Sequence, residues 1–358
     1  MRVGIIGLSS VGKSTLFEVL TGAPAPAIGS RPEPRIGVAR VPDPRVERLA
    51  EIFHPKKKTL ATVEYVDVPG VGKGTASTLI DLPALRNIDA FVHVVRAFES
   101  ATVPHPDDTV DPLRDARFLE LELILADLGA VERRIEKLEA NIKKANRSED
   151  VTERSLFLRL KEGLEGERPI RDLELSVDDR RRLRNYSLLS EKPMLLAINL
   201  DESQLRDASG FLERSGLTAF AKGPHLQLCP VSAPIEAEIS RLSPGDAREF
   251  LDDLNLNEPG LDRIVRASYT LLGYISFLTA GEDECRAWTI RGGTRAQEAA
   301  GTVHSDIERG FIRAEVTPFE ELIRAGSLAA AKEKGWLRLE GKDYLVKDGD
   351  IVHFRFNV

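Results

Sequence analysis

A glycine-rich segment near the start of the chain has the residues and spacing of a phosphate-binding loop. It runs from Gly7 to Thr15 and fits G-x-x-x-x-G-K-S/T, with Lys13 and Ser14 at the last two positions. An apolar run precedes it and a helix-like run follows, which is the context that the motif requires. The alternative is a plain glycine-serine turn between two buried elements. The flanking runs favour binding of a nucleoside triphosphate.

Each polar group of this loop has an expected partner on the nucleotide. Backbone N–H groups and the start of the following helix bind the β-phosphate, Lys13 reaches the β- and γ-phosphates, and Ser14 binds Mg²⁺. In an empty loop we expect Lys13 to be exposed. The expected nucleotide contacts here are Ser10, Val11, Gly12, Lys13, Ser14 and Thr15.

A second element follows the strand predicted at residues 62–67. Asp67 to Gly70 fits D-x-x-G, in which the aspartate holds Mg²⁺ through a water and the glycine N–H faces the γ-phosphate. This pattern is weak alone, but it is strong downstream of a phosphate loop. We expect Lys13, Asp67 and Gly70 to make the catalytic contacts, and Ser14 and Asp67 to hold the metal.

A third element stands where a guanine-binding protein carries N-K-x-D. Asn199 follows a buried-strand pattern, but Leu200 replaces the lysine and Glu202 replaces the aspartate. Adenine has no 2-amino group and its N1 is an acceptor, so the loss of the guanine clamp favours ATP. The alternative is a strand-end turn with no ligand. We expect base contacts from Asn199, Leu200 and Glu202, and further nucleotide contacts from Ser232 and Ala233.

Together these motifs resemble those of the YchF-type, Obg-related P-loop ATPases. The other similar segments are residues 41–45, 92–96, 286–289, 341–344, 348–350 and 354–358, so the resemblance spans nearly the whole chain. It implies a translation-associated ATPase that binds the ribosome, with ATP as substrate and Mg²⁺ as cofactor. A nucleotide-gated adaptor without useful hydrolysis and a GTP-specific switch are the alternative functions.

Four positions near the γ-phosphate bear on the rate of hydrolysis. Ser10 replaces the family's usual asparagine, and Arg31 stands where a metal-binding threonine is expected. The run at 72–78 is shorter and less glycine-rich than in the family. Val71, as is usual in this family, takes the place of the water-orienting glutamine of Ras-like enzymes. We expect very slow hydrolysis, with Arg31 either passive, which its flanking prolines favour, or acting as an arginine finger in cis.

Composition limits the partners that the chain can have. It has 358 residues, a formal net charge of −7 and 42% hydrophobic residues, so any RNA contact must come from local patches. Cys229 and Cys285 are expected to be buried thiols rather than a disulfide or a zinc site. No apolar span of about twenty residues or signal peptide is visible. We expect a cytoplasmic protein with no membrane or DNA partner.

Strand and helix patterns predict an α/β fold: a P-loop parallel sheet with a helical hairpin insertion, followed by a small mixed sheet. This C-terminal part resembles a TGS domain, which implies a TGS-like β-grasp fold. The carboxyl ends of the strands bring the three motifs together. The predicted domains are a nucleotide-binding domain at 1–120 and 191–273, a helical insertion at 121–190 and a β-grasp domain at 274–358.

The helical insertion has a narrow apolar stripe between charged residues. A polar break at 144–153 separates two helices, so we expect an antiparallel hairpin. Spacing alone leaves open whether it is a projecting arm with basic residues near its tip or a helical cap on the sheet; the resemblance favours an arm. The residues of the stripe are Leu121, Leu125, Leu128, Val131, Ile135, Leu138 and Ile142.

Aromatic and histidine side chains allow both structural and functional interpretations. In the C-terminal domain Trp288, Phe311, Phe354 and Phe356 can stack on RNA bases, but aromatic residues in strands more often form the core. His93 lies inside an apolar strand, where a hydrogen-bonded core residue is the default and a role near the γ-phosphate is the alternative.

Overall fold

A computed structural model describes residues 1–24, 33–70, 85, 87–145, 147–223 and 225–357. The chain divides into two units. The large unit comprises Met1–Val38 and Glu64–Leu271, and the small unit comprises Ala39–Val63 and Leu272–Val358.

Strands alternate with helices through the first half of the chain and dominate its end. The described strands are β1 (Arg2–Ile6), β2 (Arg35–Arg40), β3 (Lys57–Thr59), β4 (Thr62–Asp67), β5 (Ala90–Arg96), β6 (Met194–Asn199), β7 (Leu226–Val231), β8 (Tyr274–Thr279), β9 (Glu284–Arg291), β10 (Phe311–Pro318), β11 (Arg338–Glu340) and β12 (Asp350–Phe356).

The described helices include one pair that is much longer than the rest. They are α1 (Lys13–Thr21), α2 (Pro44–Phe53), α3 (Pro112–Ala145), α4 (Ser148–Glu165), α5 (Val177–Leu183), α6 (Glu202–Arg206), α7 (Ala208–Arg214), α8 (Leu217–Phe220), α9 (Ala233–Ile239), α10 (Pro244–Asp253), α11 (Gly260–Leu271), α12 (Ala296–Val303), α13 (Ser305–Arg309), α14 (Phe319–Ala325) and α15 (Leu328–Glu333). None in the described part of the chain is long and apolar enough to cross a membrane.

The large unit contains a six-stranded sheet in the order β2-β4-β1-β5-β6-β7. Strand β1 pairs in parallel with β4 and β5, and β6 pairs in parallel with β5 and β7. Every residue of β5 and β6 is buried, as expected for strands covered on both faces. The α/β class predicted from the sequence is confirmed, and the pairings among β4, β1, β5, β6 and β7 are parallel.

The register of these strands brings the three motifs to one edge of the sheet. Asp67, the last residue of β4, lies opposite Ile5, close to where β1 ends and the glycine-rich loop begins. Asn199, the last residue of β6, lies opposite Arg96 and Val231. Ligands of parallel sheets bind outside the carboxyl ends of the strands, so this edge is the expected place for a site.

Helices α3 and α4 form the predicted antiparallel hairpin. Lys161 pairs with Glu132 and Arg154 pairs with Glu139, each at 2.8 Å, so rising residue numbers on one helix match falling numbers on the other. Only residues 146 and 147 separate the helices, a shorter break than the sequence suggested. The hairpin has its own apolar core, which includes Val131, Ile135, Leu156, Phe157 and Leu160.

The apolar stripe predicted on α3 is correct only in part. Val131, Ile135 and Leu138 are buried, but Leu121 and Leu125 are 36% and 48% exposed. Leu119 and Leu123 are buried instead, in the core that also contains residues of β5 and β6. The prediction failed because the first half of α3 packs against the sheet with a different face from the one that faces α4.

The small unit contains a mixed six-stranded sheet in the order β11-β10-β12-β8-β9-β3. Trp288, Phe311 and Phe354 lie in or against the apolar core of this unit, whereas Phe356 is 43% exposed. The core role of these three aromatic residues is therefore confirmed.

Residues 39–63, which sequence patterns placed with the nucleotide-binding domain, lie in the small unit. Strand β3 pairs in parallel with the edge of β9, and the Thr59 hydroxyl donates to Glu284 Oε1 at 2.5 Å. Such a short, polar strand has no apolar periodicity from which a distant partner can be inferred. Both cysteines are buried free thiols, as predicted.

Candidate functional site

The glycine-rich loop connects β1 to α1, and its glycines occupy positions that a side chain would obstruct. Gly12 has φ 95°, and a Cβ there would lie 2.4 Å from Asn199 Nδ2. Gly7 has φ 152°, and a Cβ would lie 2.5 Å from the carbonyl oxygen of Val94. Only glycine fits both the backbone conformation and the space at these two positions.

Lys13 is the first residue of α1, and it is buried rather than exposed. Its Nζ donates to the carbonyl oxygen of Leu8 at 2.5 Å. Burial lowers the pKa of Lys13 to about 8, against the opposing charge of Asp67. The expectation of an exposed lysine is therefore wrong, because the loop folds its own carbonyl group over the ammonium group.

Asp67 and Ser14 lie together, as the sequence predicted. The Ser14 hydroxyl donates to Asp67 Oδ2 at 3.3 Å, and Ser14 is exposed. A hydroxyl and a carboxylate are hard oxygen ligands of the kind that Mg²⁺ prefers. These two residues therefore fit the metal role that the sequence assigned to them.

Arg35, which the sequence analysis did not single out, also binds Asp67. Its Nη2 and Nε donate to Asp67 Oδ2 at 2.8 and 3.3 Å, and its Nη1 donates to Glu18 Oε1 at 3.1 Å. Burial opposes the charge of Arg35, but the hydrogen bonds to Asp67 and Glu18 outweigh this and raise its pKa. Arg35 begins a strand, and nothing in its spacing from the motifs indicates this contact.

Gly70 lies against the phosphate-binding loop. A Cβ at this position would lie 2.9 Å from Ser9 Oγ and 3.0 Å from Lys13 Nζ. The D-x-x-G turn and the loop thus approach as closely as their backbones permit. Lys13, Asp67 and Gly70, the three expected catalytic residues, are brought together.

Asn199 joins the third motif to the first. Its Oδ1 accepts from the backbone N–H of Ala233 at 2.9 Å, and the side chain is buried. Ala233 begins α9, and Ser232 is the buried residue before it. Asn199, Ser232 and Ala233 are thus grouped beside the loop that contains Gly12.

The other two residues of the third motif have different environments. The Leu200 side chain is fully buried in the apolar core, so the structure does not bring it to the site as a base contact. Glu202 is exposed at the start of α6, where its Oε1 accepts from Arg206 Nη2 at 2.9 Å. Asp201, between them, caps α6 by accepting from the N–H of Gln204 at 2.8 Å.

The remaining loop residues differ in exposure. Ser10 and Thr15 are exposed, whereas Val11 is buried. Ser10 has φ 63°, a left-handed conformation that asparagine adopts more readily than serine. The serine at this position therefore costs conformational energy that an asparagine would reduce.

His93 is a buried residue of β5. Burial, together with the charges of Lys13 and Arg171, lowers the pKa of His93 to about 3, so the imidazole is neutral. Its Nδ1 has no hydrogen-bond partner among the residues that the structure describes. Arg31, Val71 and the run at 72–78 lie outside the described residues.

Two family models match the chain. One, described as a 50S ribosome-binding GTPase, matches residues 2–125. The other, the C-terminal domain of YchF GTPases, described as a protein of unknown function, matches residues 274–357.

Relatives that are aligned over the whole of this chain share 34–40% of their residues with it. The ribosome-binding ATPase YchF of Bacillus subtilis is 40% identical over 365 residues, covering all of both proteins. The Escherichia coli O157:H7 protein of the same name is 38% identical over 364 residues, covering all of this chain and 99% of that one. The Obg-like ATPase 1 of rice is 34% identical over 368 residues, covering all of this chain and 92% of that one.

A solved structure of a protein with the same family name is also similar to this chain. The YchF GTPase of Schizosaccharomyces pombe is 28% identical and has a TM-score of 0.84, covering 99% of this chain and 97% of that one.

Proposed function

The chain belongs to the YchF family of P-loop nucleotide hydrolases, and from this premise we propose that it is a ribosome-associated, ATP-preferring, Mg²⁺-dependent hydrolase of low intrinsic rate. The relatives are named ribosome-binding ATPases, and the sheet edge that holds Lys13, Asp67 and Asn199 supports nucleotide binding by this chain.

The proposed preference for ATP over GTP rests on the environment of residues 200–202. A guanine clamp needs a short carboxylate that accepts from two N–H groups of the base, with a lysine stem along the ring. Here the one aspartate, Asp201, caps a helix, Glu202 pairs with Arg206, and Leu200 lies in the core. A missing bidentate contact to a buried group is worth about 1–3 kcal/mol, which corresponds to a preference of about 5- to 150-fold.

Calorimetric titration with ATP and GTP tests the preference. We expect ATP to bind more tightly than GTP. We expect Glu202→Asp to reduce the difference between the two affinities, because the shorter carboxylate restores part of the guanine clamp. Glu213→Asp, an equally conservative change at an exposed glutamate of α7, is the control. Tighter binding of GTP by the unaltered protein would end the adenine interpretation.

The slow rate rests on the residues near the γ-phosphate. Lys13 compensates phosphate charge, and Ser14 with Asp67 would hold Mg²⁺, which when bound compensates charge on the β- and γ-phosphate oxygens. Among the described residues no group of three or more histidines, cysteines or acids forms a metal site by itself. This fits an ion that takes its remaining ligands from phosphates and water.

Single-turnover hydrolysis tests the rate and separates a hydrolase from a nucleotide-gated adaptor. Valine at position 71 cannot orient water, so we expect turnover far below one per second without a partner. Turnover on the order of one per second that is lost in Arg31→Ala would instead assign an arginine finger to that residue.

Ribosome association is proposed to involve the α3–α4 hairpin and the small unit, because the sheet edge of the large unit is taken up by nucleotide. Lys143, Lys144 and Arg147 are exposed near the tip of the hairpin, where phosphate groups of RNA are suitable partners. The same proposal places the protein in the cytoplasm, with no membrane or DNA partner.

A further inference from the structure

One carboxylate oxygen of Asp67 accepts hydrogen bonds from two groups. They are the Ser14 hydroxyl, which we expect to bind the metal, and the guanidinium group of Arg35. Oδ2 accepts from Ser14 at 3.3 Å and from Nη2 and Nε of Arg35 at 2.8 and 3.3 Å. The Asp67 side chain is 9% exposed and that of Arg35 is 21% exposed. Solvent therefore screens this ion pair less than it screens a pair on the open surface.

Arg35 is held in this position by α1 as well as by Asp67. Its Nη1 donates to Glu18 Oε1 at 3.1 Å and to the carbonyl oxygen of Pro24 at 3.2 Å. Its Cζ lies 4.8 Å from the centre of the Phe17 ring, within cation–π distance. The guanidinium group thus has anchors of its own beside the ligands expected for the metal.

We propose that Arg35 competes with Mg²⁺ for Asp67 and so sets how strongly ATP binding depends on magnesium. This inference rests on the proposed function, since it concerns the same nucleotide site. A magnesium ion that Asp67 holds through a water still lies near the guanidinium group, and two cations beside one carboxylate oxygen repel each other. When Mg²⁺ binds with ATP, Arg35 leaves Asp67 and keeps its contact with Glu18.

This competition has opposite effects with and without metal. Without Mg²⁺, Arg35 neutralises Asp67 and reduces its repulsion of the triphosphate, so Arg35 favours ATP binding. With Mg²⁺, the ion must displace the guanidinium group, so Arg35 opposes binding. An arginine that contacted the γ-phosphate directly would favour ATP in both conditions.

The test compares Arg35→Gln with Arg40→Gln, which removes the same charge from an exposed position on the same strand. ATP affinity is measured by calorimetry in EDTA and across a range of Mg²⁺ concentrations, after circular dichroism confirms folding. In Arg35→Gln we expect weaker ATP binding in EDTA and half-maximal Mg²⁺ stimulation at a roughly fivefold lower concentration. Arg40→Gln should match the unaltered protein in both.

Two results would overturn the inference. Equal magnesium dependence in Arg35→Gln and Arg40→Gln means that Arg35 does not compete with the metal. Weaker ATP binding by Arg35→Gln in both EDTA and Mg²⁺ means that Arg35 binds phosphate.

A measurement without nucleotide separates this inference from the proposed function. If the unaltered protein binds no ATP, the proposed function fails, and Mn²⁺ binding to the nucleotide-free protein, followed by electron paramagnetic resonance, decides the role of Arg35. We expect Arg35→Gln to bind Mn²⁺ roughly fivefold more tightly than Arg40→Gln, and Asp67→Asn to lose the site. Equal Mn²⁺ affinity in the two arginine variants would then reject competition.

Discussion

The side chain of Asn199 is bonded to the backbone of Val11, with Nδ2 donating to the carbonyl oxygen at 2.9 Å across 188 residues of sequence. Because Oδ1 also accepts from Ala233, a single amide joins the phosphate-binding loop to the loop after β7. Both bonds are buried, so neither lost partner can readily be replaced by water.

Asn199→Ala should therefore lower both ATP affinity and stability. Two buried backbone groups lose their partners, so we expect the free energy of unfolding to fall by about 2–3 kcal/mol. Chemical denaturation measures this loss, with Asn141→Ala on the exposed face of α3 as the control. Equal stability of the two variants would show that the amide does not tie the loops together.

Lys13→Met should abolish ATP binding and stabilise the empty protein. The charged form of Lys13 pays a burial penalty, which is reflected in its pKa of about 8. Removing that charge, at the loss of the bond to Leu8, should raise the free energy of unfolding by roughly 1–2 kcal/mol at pH 7. Thermal unfolding with and without ATP measures both effects, and exposed Lys137→Met is the control. An ATP-induced rise in melting temperature that survives in Lys13→Met would contradict the assignment of the loop.

Gly70→Ala should weaken ATP binding by roughly tenfold with little change in stability. The added Cβ would press on Ser9 Oγ and Lys13 Nζ, and the lysine must move to make room. Calorimetry measures the affinity. Gly281→Ala is a suitable control, because a Cβ there has nothing within 4 Å. An unchanged affinity for ATP in Gly70→Ala would mean that the turn opens away from the loop when nucleotide binds.

Asp127 should make stability depend on pH. Its carboxylate accepts from the N–H groups of Leu189 at 2.8 Å and Ser190 at 2.6 Å, yet burial raises the pKa of Asp127 to about 6. A carboxyl whose pKa is raised by folding contributes most below its unfolded value, so this contribution is lost as the pH rises from about 4 to 6.

Asp127→Asn removes this titration. Between pH 4 and 6 the unaltered protein should lose about 2–3 kcal/mol of stability relative to the variant. Urea denaturation at several pH values measures the difference. If the difference in unfolding free energy between the two proteins stays constant across this range, folding does not raise the pKa of Asp127.

Charge reversal at the hairpin tip should weaken ribosome association without changing the affinity for ATP. Lys143→Glu with Lys144→Glu places two negative charges where phosphate contacts are expected, so less protein should sediment with ribosomes. Arg241→Glu with Arg248→Glu reverses two exposed charges elsewhere in the large unit as the control. Equal sedimentation of both double variants would support a hairpin that only covers the sheet.

The parts of this fold that the sequence predicted are those with strong local signals. The phosphate loop, the turn at Asp67 and the strand before Asn199 each combine a motif with an apolar run, and all three lie at one sheet edge as expected. The hairpin was predicted because α3 and α4 keep helical periodicity over many turns.

The failures concern contacts that the local sequence pattern does not show. Lys13 is covered by a carbonyl group of its own loop, and Arg35 meets Asp67 across 32 residues without a motif to mark it. Leu200 was predicted to contact the base because of its position in the motif, but its side chain packs in the apolar core. Contacts of this kind follow from the folded arrangement, which single-residue patterns do not encode.

The pairing of β3 with β9 can form only late in the synthesis of the chain. Thr59 leaves the ribosome 225 residues before its hydrogen-bond partner Glu284. At about 5–20 residues per second, β3 waits roughly 10–45 seconds for the strand that it will pair with. During synthesis the segment at 39–63 must therefore remain unpaired with β9 while residues of the large unit emerge, and a C-terminal fragment made alone would display an unprotected edge on β9.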